Sequence, residues 1–226
     1  MTAASGGSSR YLRTRLPPDR RRELLWVHLT AYLQRFISPD ASVLEIGAGY
    51  CQFINRVRAK RRVAIDIAPE ILVWAAPGVE VLAMDVTDYL RGATPRQFDF
   101  ILASNFLEHF DWPELDVMIE LITQTLAPGG RLALIQPNFR LASRNYFDDY
   151  THRTVFSDVS LVDWLESRDL HVVRTEARFL PLTVKGRIGN FAALVPLYLR
   201  LPWRPFAGQM FVLAERAVER EVGLKT

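Results

Sequence analysis

The sequence predicts an α/β protein with a doubly wound, mostly parallel sheet of seven strands and an apolar insertion between the last two strands. Three observations support this fold class. Apolar runs alternate with amphipathic helical stretches from residue 42 onwards, a pattern typical of repeated βαβ units. A glycine-containing turn follows the first run, and acidic residues follow several of the others. In open α/β sheets such residues gather at the carboxyl edge, where ligands bind.

The composition favours a globular protein with a substantial core. The chain has 226 residues, of which 49% are hydrophobic, and a mean hydropathy of +0.03. No apolar stretch has the length of a membrane span, and residues 1–9 lack the apolar region of a secretory signal. The single cysteine excludes an internal disulfide and a cysteine-based zinc site. We therefore expect a cytoplasmic protein.

Basic residues concentrate at the start of the chain. Residues 1–22 contain six arginines and one aspartate, whereas the whole chain carries a net charge of only +3. We expect residues 1–18 to form a flexible basic arm and residues 19–226 to form one domain. Such an arm can touch anionic partners. No nucleic-acid motif accompanies it, so nucleic-acid binding is not expected.

The predicted elements follow in chain order. Asp19 is a suitable N-cap for a first amphipathic helix, which Ser38-Pro39-Asp40 would end. A short turn or helix is expected at 87–90. We predict the following strands and helix starts: strands at 42–46, 61–65, 79–83, 97–104, 131–136, 171–178 and 209–215, and helices beginning near residues 53, 69, 112 and 158.

The turn after the first strand carries the most specific pattern. Glu45 precedes Gly47 and Gly49, and glycines let backbone N–H groups approach a ligand closely. A dinucleotide fingerprint would need a third glycine where Gln52 stands. A carboxylate also repels a pyrophosphate. A nicotinamide enzyme is therefore disfavoured, and the turn suits a cationic or hydroxyl-rich ligand.

Later strand ends offer groups that suit a nucleoside. Asp66 comes 21 residues after Glu45, a spacing typical of one βαβ step, and its carboxylate can accept both ribose hydroxyls. Asp85 can accept a hydrogen bond from the adenine amine, and Val86 can donate its backbone N–H to the ring.

These pieces together resemble the motif set of the class I S-adenosylmethionine-dependent methyltransferases. The set includes the Glu-x-Gly-x-Gly turn, Asp66, Asp85, the strand with Asp99 followed by Glu108-His109, and a Leu-x-Pro-Gly-Gly stretch, and it covers roughly residues 40–180. Cys51 departs from it by replacing a third glycine. The resemblance implies S-adenosyl-L-methionine as cofactor, held by Glu45, Gly47, Ala48, Gly49, Asp66, Ile67, Asp85, Val86, Ser104 and Asn105.

The segment from Tyr146 to Ser157 holds the candidate catalytic residues. His152 could take the proton of an acceptor hydroxyl, with Asp148 or Asp149 fixing its tautomer. His109 is the second candidate. A similar Asp-x-x-His-x-x-x-Phe-Ser passage occurs in methyltransferases encoded with glycan-building enzymes. This resemblance implies O-methylation of a sugar or oligosaccharide, as in polysaccharide biosynthesis.

Several alternatives stay open at this point. Glu108, Asp148, Asp149 and His152 could instead bind Mg²⁺. The acceptor could be a small quinone, lipid or amine, and the chain could also bind the cofactor without turning it over. The apolar insertion at about 179–208 is expected to form a lid or an interface. Its exposed apolar side chains could instead form the interface of a homodimer or contact the surface of a membrane.

Overall fold

The computed structural model describes residues 17–182 and 191–217. Most of the predicted basic arm, and residues 183–190 of the predicted insertion, lie outside these described residues. Across the two described ranges, no helix combines the length and apolar character that crossing a lipid bilayer requires.

Helices and strands alternate through most of the described chain. Short 3₁₀ turns lie at Gln34–Phe36, Leu107–His109 and Tyr146–Asp148. The main elements are α1 (Arg20–Leu33), β1 (Ser42–Ile46), β2 (Arg61–Asp66), α2 (Ile71–Trp74), β3 (Glu80–Ala83), α3 (Val86–Gly92), β4 (Phe98–Ser104), α4 (Trp112–Thr125), β5 (Leu126–Pro137), α5 (Phe139–Ala142), α6 (Asp158–Glu166), β6 (Leu170–Pro181), α7 (Phe191–Tyr198) and β7 (Ala207–Arg216).

The seven strands form one sheet in the order β3-β2-β1-β4-β5-β7-β6. The sheet is mixed rather than mostly parallel, which corrects that part of the prediction. The pairings from β3 across to β5 are parallel, whereas β7 is antiparallel to both β5 and β6. The physical reason is that β7 lies directly beside β6, so the chain returns to the sheet without a crossover.

Both faces of the sheet are covered, as in a doubly wound fold. One buried cluster joins the sheet to α3, α4 and α6, and a second joins its other face to α1 and α7. Side chains of β1 alternate between them: Leu44 and Ile46 belong to the first cluster and Val43 to the second. The carboxyl ends of β1 to β5 therefore share one edge above a packed core.

One predicted helix, starting near residue 53, is absent from the described structure. Residues 49–56 form turns instead. Cys51 adopts a left-handed backbone with φ +55°, and two helix-like hydrogen bonds follow, from Asn55 N to Cys51 O and from Val57 N to Phe53 O. The N–H of Arg58 then donates to Oε1 of Gln34 at 2.8 Å, which ends the turn.

Candidate active site

The strand order reverses at the carboxyl edge between β1 and β4. From β1 the chain proceeds to β2 on one side, and β4 lies against the other side of β1. A reversal of this kind is where open α/β sheets bind ligands. The predicted cofactor residues on β1, β2 and β4 lie at this edge.

Glu45 lies beneath the turn that follows β1. It is 5% exposed, and its Oε2 accepts a hydrogen bond from the N–H of Ile54 at 3.0 Å. Burial raises the pKa of Glu45 to about 8, against the opposing effect of that hydrogen bond. The Glu45 carboxyl group therefore stabilises the turn through its hydrogen bond with Ile54.

Gly47 and Gly49 differ in what surrounds them. Both have positive φ, +65° and +49°, a conformation that glycine adopts without strain. A Cβ on Gly47 would lie 2.5 Å from Cδ2 of Phe106, whereas a Cβ on Gly49 would meet nothing within 4 Å. The open space of the turn is therefore beside Gly49.

Asp66 joins β2 to this turn. Its Oδ2 accepts from the N–H of Gly49 at 2.8 Å and its Oδ1 from the N–H of Ala68 at 2.8 Å. Burial raises the pKa of Asp66, although these two backbone hydrogen bonds oppose the shift. Each carboxylate oxygen keeps a further lone pair that could accept a ligand hydroxyl.

Asp85 is the N-cap of α3. Its Oδ1 accepts from the N–H of Thr87 at 2.7 Å and from the N–H of Asp88 at 3.2 Å. Val86 is the first residue of α3, and the N–H groups of a first turn have no partner within the helix. Both groups that the sequence assigned to an adenine ring therefore lie at one helix terminus.

Asn105 lies at the end of β4, directly after Ser104. Its backbone is left-handed, with φ +48°, and its N–H donates to the carbonyl of Ile135 at 2.7 Å. Nε2 of Gln209 on β7 donates to its Oδ1 at 3.2 Å. Strands β4, β5 and β7 thus meet at this exposed residue.

Glu108 is fully buried in the 3₁₀ turn after β4, at 0% exposure. Its backbone carbonyl accepts from the N–H groups of Arg153 at 2.8 Å and Thr154 at 3.2 Å, which holds the later segment against it. Nε2 of His152 lies 3.9 Å from Glu108 Oε1. Neither carboxylate oxygen has a hydrogen-bond partner among the other residues that the structure describes. Burial raises the pKa of Glu108 to about 8.

His109 lies next to this pair, and its ring centroid is 5.2 Å from that of His152. Its Nδ1 lies 3.0 Å from Oγ1 of Thr151, and that hydroxyl donates to Oδ1 of Asp149 at 2.6 Å. Because Thr151 donates its hydroxyl proton to Asp149, its oxygen can only accept from His109. We therefore infer that Nδ1 of His109 carries a proton. Burial lowers the pKa of His109, and the neighbouring His152 lowers it further.

The structure brings some of the predicted catalytic residues together and separates others. Glu108, His109 and His152 each place one potential ligand atom within 4.8 Å of the others, and we call these three residues the Glu–His–His cluster. Asp149 contacts His109 through Thr151. Asp148 is exposed, and its Oδ2 accepts from Nδ2 of Asn145 at 3.0 Å.

Sequence reasoning missed three neighbours of this site. It gave no role to Thr151, to Phe106 against Gly47, or to Tyr146, whose ring centroid is 4.7 Å from that of His152. Asp149 was a usable signal for the position of Thr151, since an aspartate side chain often accepts from the backbone two residues on, as Asp149 Oδ1 does from the N–H of Thr151 at 3.1 Å. Nothing local marked Phe106 or Tyr146.

Comparison with known proteins assigns the family. The family described as a methyltransferase domain matches residues 19–175. A highly reducing polyketide synthase, PKS6 of Gibberella zeae, is 29% identical in a match that covers 46% of this chain. The match spans only 5% of that synthase.

Solved structures agree on the fold. A SAM-dependent methyltransferase from Archaeoglobus fulgidus is similar with a TM-score of 0.67 at 18% identity, covering 92% of this chain and 98% of that one. A chain from the complex of the Haloferax volcanii Trm112 methyltransferase activator with a methyltransferase has a TM-score of 0.65 at 14% identity, covering 93% and 94%. The chain therefore belongs to the methyltransferase-domain family and has the fold of the S-adenosylmethionine-dependent methyltransferases.

Proposed function

We propose that this protein transfers a methyl group from S-adenosylmethionine to a hydroxyl of a sugar or oligosaccharide. The observation that carries the proposal is the position of the Glu–His–His cluster. Glu108 and His109 follow β4, and the later segment holds His152 beside them, at the carboxyl edge that also carries Gly49. A cluster of titratable groups at the carboxyl edge of such a sheet is a reasonable site for proton transfer.

The predicted cofactor residues at the carboxyl edge suit S-adenosylmethionine. Asp66 offers acceptors for the ribose hydroxyls, and Asp85 with the N–H of Val86 suits the adenine edge. The space beside Gly49 admits a ligand that a larger residue would exclude. Glu45 adds negative potential beneath the turn when it is ionised, which favours a cation.

When bound, S-adenosylmethionine supplies an electrophilic methyl group on its sulfonium sulfur. The acceptor O–H bond breaks, a C–O bond forms and the S–CH₃ bond breaks, which leaves S-adenosylhomocysteine. With no ion in the cluster, His152 takes the hydroxyl proton, and Glu108 beside it can stabilise the imidazolium when the Glu108 carboxyl is ionised. The chain otherwise holds the hydroxyl in line with the methyl group.

Support for the acceptor class comes from the segment before His152. Phe147 is 59% exposed and Tyr150 is 78% exposed. Exposed aromatic rings offer the flat apolar face, and tyrosine the polar tip, that suit a ring bearing hydroxyl groups. The same segment carries the resemblance to methyltransferases encoded with glycan-building enzymes.

A second candidate acceptor is an apolar molecule such as a lipid or quinone. Phe206 is 82% exposed, Leu197 and Trp203 are each 62% exposed, and all three lie between α7 and β7 or on α7. The relative PKS6 is a polyketide synthase by name, which also favours an apolar acceptor.

The test is S-adenosylhomocysteine formation against a panel of sugars, oligosaccharides, quinones and amines, with calorimetry of cofactor binding. His152→Ala should lower turnover roughly 10²- to 10⁴-fold and keep cofactor affinity. His171→Ala, an exposed histidine on β6, is the matched control and should change neither. Equal turnover in His152→Ala would remove this residue from the reaction. Cofactor binding without turnover on any acceptor would favour a non-catalytic binding module.

A further inference from the structure

We infer that the Glu–His–His cluster of Glu108, His109 and His152 binds one divalent transition-metal ion, of which Zn²⁺ is the best match. The role of the ion in methyl transfer rests on the proposed function. The binding of the ion does not depend on that function. The inference extends the sequence-based suggestion of Mg²⁺ by naming a different metal and a different set of ligands.

The first argument is the state of the Glu108 carboxyl group. Glu108 is 0% exposed, and within residues 17–182 and 191–217 neither of its oxygens has a hydrogen-bond partner in another residue. In those ranges the only backbone group that acts on the carboxyl is the N–H of Glu108 itself. A buried carboxyl left in this way costs about 1–3 kcal/mol or more, so native proteins rarely keep one without a function. A cation between Glu108 and the two imidazoles would satisfy it.

The second argument is geometric. One ligand atom from each of the three residues lies within 4.8 Å of the others. Ligands about 2.1 Å from a tetrahedral ion lie roughly 3.4 Å apart. The 3.9 Å between His152 Nε2 and Glu108 Oε1 is close to that separation. Small side-chain rotations would bring the ligand atom of His109 to a similar distance from the other two.

The ligand types select the ion. Two imidazoles and one carboxylate form a set that binds catalytic zinc in other proteins and leaves a fourth position open. Mg²⁺ prefers oxygen ligands and keeps much of its water. The acids that would have suited it, Asp148 and Asp149, are not among the three residues of the cluster.

A supporting contact lies behind His109. Thr151 links Nδ1 of His109 to the carboxylate of Asp149 through two hydrogen bonds, of 3.0 Å and 2.6 Å. Metal-binding histidines are commonly oriented by an acceptor behind the ring, because this fixes the tautomer and raises the basicity of the coordinating nitrogen.

A bound ion would change how the acceptor is activated. The open position can take the acceptor hydroxyl, and coordination lowers the pKa of a bound hydroxyl group. The hydroxyl proton then passes to solvent water, and His152 acts as a ligand rather than as the proton acceptor. The bonds made and broken at the methyl group stay the same.

The test is ion binding to the full chain after treatment with a chelator. Wild-type protein should bind one equivalent of Zn²⁺ by calorimetry and by metal analysis, and Co²⁺ should give the visible absorption of a tetrahedral site. Glu108→Gln keeps the shape of the side chain, and it should weaken Zn²⁺ binding at least about a hundredfold. His152→Ala should have a similar effect. Mg²⁺ should give no comparable heat.

Two control variants separate this site from surface binding. His171→Ala removes an exposed imidazole and Asp148→Asn removes an exposed acid of the neighbouring segment, and both should bind Zn²⁺ as the wild type does. An absence of stoichiometric Zn²⁺, or equal affinity in Glu108→Gln, would overturn the inference. Circular dichroism and thermal unfolding establish that each variant is folded.

The inference and the proposed function fail in different ways. Stoichiometric Zn²⁺ without methylation of any acceptor would support the ion site and reject the proposed reaction. Full turnover by protein that neither contains nor binds an ion would overturn the ion site, and it would leave His152 as the direct proton acceptor.

Discussion

At the residue scale, the buried carboxyl of Glu45 makes stability depend on pH. Its pKa lies at about 8 in the folded protein and near 4.5 in the unfolded chain. Below pH 4.5 both states hold the proton. As pH rises from 4.5 to 8 the unfolded chain releases the proton first, so folding becomes less favourable over that window.

Glu45→Gln should therefore stabilise the protein, because an amide can still accept from the N–H of Ile54 and has no charge to bury. The gain in the free energy of unfolding should be small at pH 4.5 and reach a few kcal/mol by pH 8. Urea unfolding across this range measures it. Glu80→Gln on β3 is the control: the pKa of Glu80 is lowered by its exposed pair with Arg61, so no gain is expected. A gain for Glu45→Gln that does not depend on pH would contradict the prediction.

Asp66 allows a prediction about the cofactor. Asp66→Asn places an NH₂ group against the N–H of either Gly49 or Ala68, and it removes a charged acceptor for the ribose. We expect affinity for S-adenosylhomocysteine to fall at least about tenfold, since hydrogen bonds to a charged group contribute about 1.5–3 kcal/mol. Calorimetry measures the loss. Asp88→Asn, an exposed acid in the first turn of α3, should bind normally, and normal binding by Asp66→Asn would reject the ribose assignment.

Residues set by local chain geometry were predictable from sequence. Asp19 caps α1 by accepting from the N–H of Arg21, and Ser157 caps α6, as their sequence contexts indicate. The sequence placed Glu108 and His152 among four candidate Mg²⁺ ligands, but it did not determine the contact between these two residues. This contact depends on tertiary hydrogen bonds that hold Arg153 and Thr154 on the Glu108 carbonyl, and no local pattern encodes these.

At the element scale, the turn after β1 gives two glycines with contrasting roles. Gly47→Ala would place a methyl group 2.5 Å from the Phe106 ring in a left-handed conformation, so we expect a loss of about 2–3 kcal/mol in stability. Gly49→Ala has only the backbone cost, about 1 kcal/mol, but its methyl group enters the open space. It should lose cofactor binding while it remains folded.

Thermal unfolding and calorimetry on the same two variants test this contrast. The double variant Gly47→Ala with Phe106→Ala should recover part of the strain that Gly47→Ala alone introduces. Equal stability and equal cofactor affinity of the two single variants would show that the glycines are interchangeable.

Element boundaries were predictable where an apolar run meets a clear stop signal. Strand β1 begins and ends at the predicted residues, 42 and 46. Strand β5 begins at Leu126 rather than at Arg131. The sequence Pro128-Gly129-Gly130 predicts a break, but in the structure it forms an irregularity within the strand: Gly129 has φ +73°, and the pairing with β4 shifts from Leu126 opposite Phe98 to Arg131 opposite Phe100. The prediction of a helix from residue 53 was wrong. Cys51 has a left-handed backbone, and Oε1 of Gln34 accepts a hydrogen bond from the N–H of Arg58.

At the scale of the whole molecule, Glu176 joins its own strand, β6, to two distant parts of the chain, α1 and the segment before β7. It accepts from the Tyr32 hydroxyl on α1, from Arg204 before β7, and from Nε of Arg174 at 2.6 Å. Glu176 and Arg204 are nearly buried, with side chains 10% and 11% exposed. Burial alone would raise the pKa of Glu176, but the hydrogen bonds outweigh it and lower the pKa.

Glu176→Gln should destabilise the protein by roughly 3 kcal/mol near neutral pH, because Arg204 would keep its charge in a nearly buried site. The contribution of Glu176 is present above its ordinary pKa of 4.5 and is lost as pH falls below that value, so wild type and variant should converge in acid. Urea unfolding measures both effects. Glu215→Gln, which removes a more exposed pair with Arg131, should cost about 0–1 kcal/mol, and an equal cost for both variants would contradict the prediction.

The overall architecture was predictable because the alternation of strands and helices leaves few ways to build the sheet. The doubly wound arrangement is confirmed, and the sheet has the predicted seven strands. The direction of β7 could not be read from its sequence, since an apolar run has the same pattern in either orientation. The apolar insertion forms α7 where it is described, and Pro196 within that helix obscured the helical pattern.

The place of β7 in the sheet has a consequence for folding. It is the last of the described strands in chain order, yet it fills the gap between β5 and β6, and it pairs with residues of β5 as far as 84 positions away, as Glu215 does with Arg131. Until it inserts, β5 presents an apolar edge with unsatisfied backbone groups, which is a template for association with other chains. Closing so long a loop is slow. Refolding should therefore compete with aggregation, and yield should rise as the protein concentration falls.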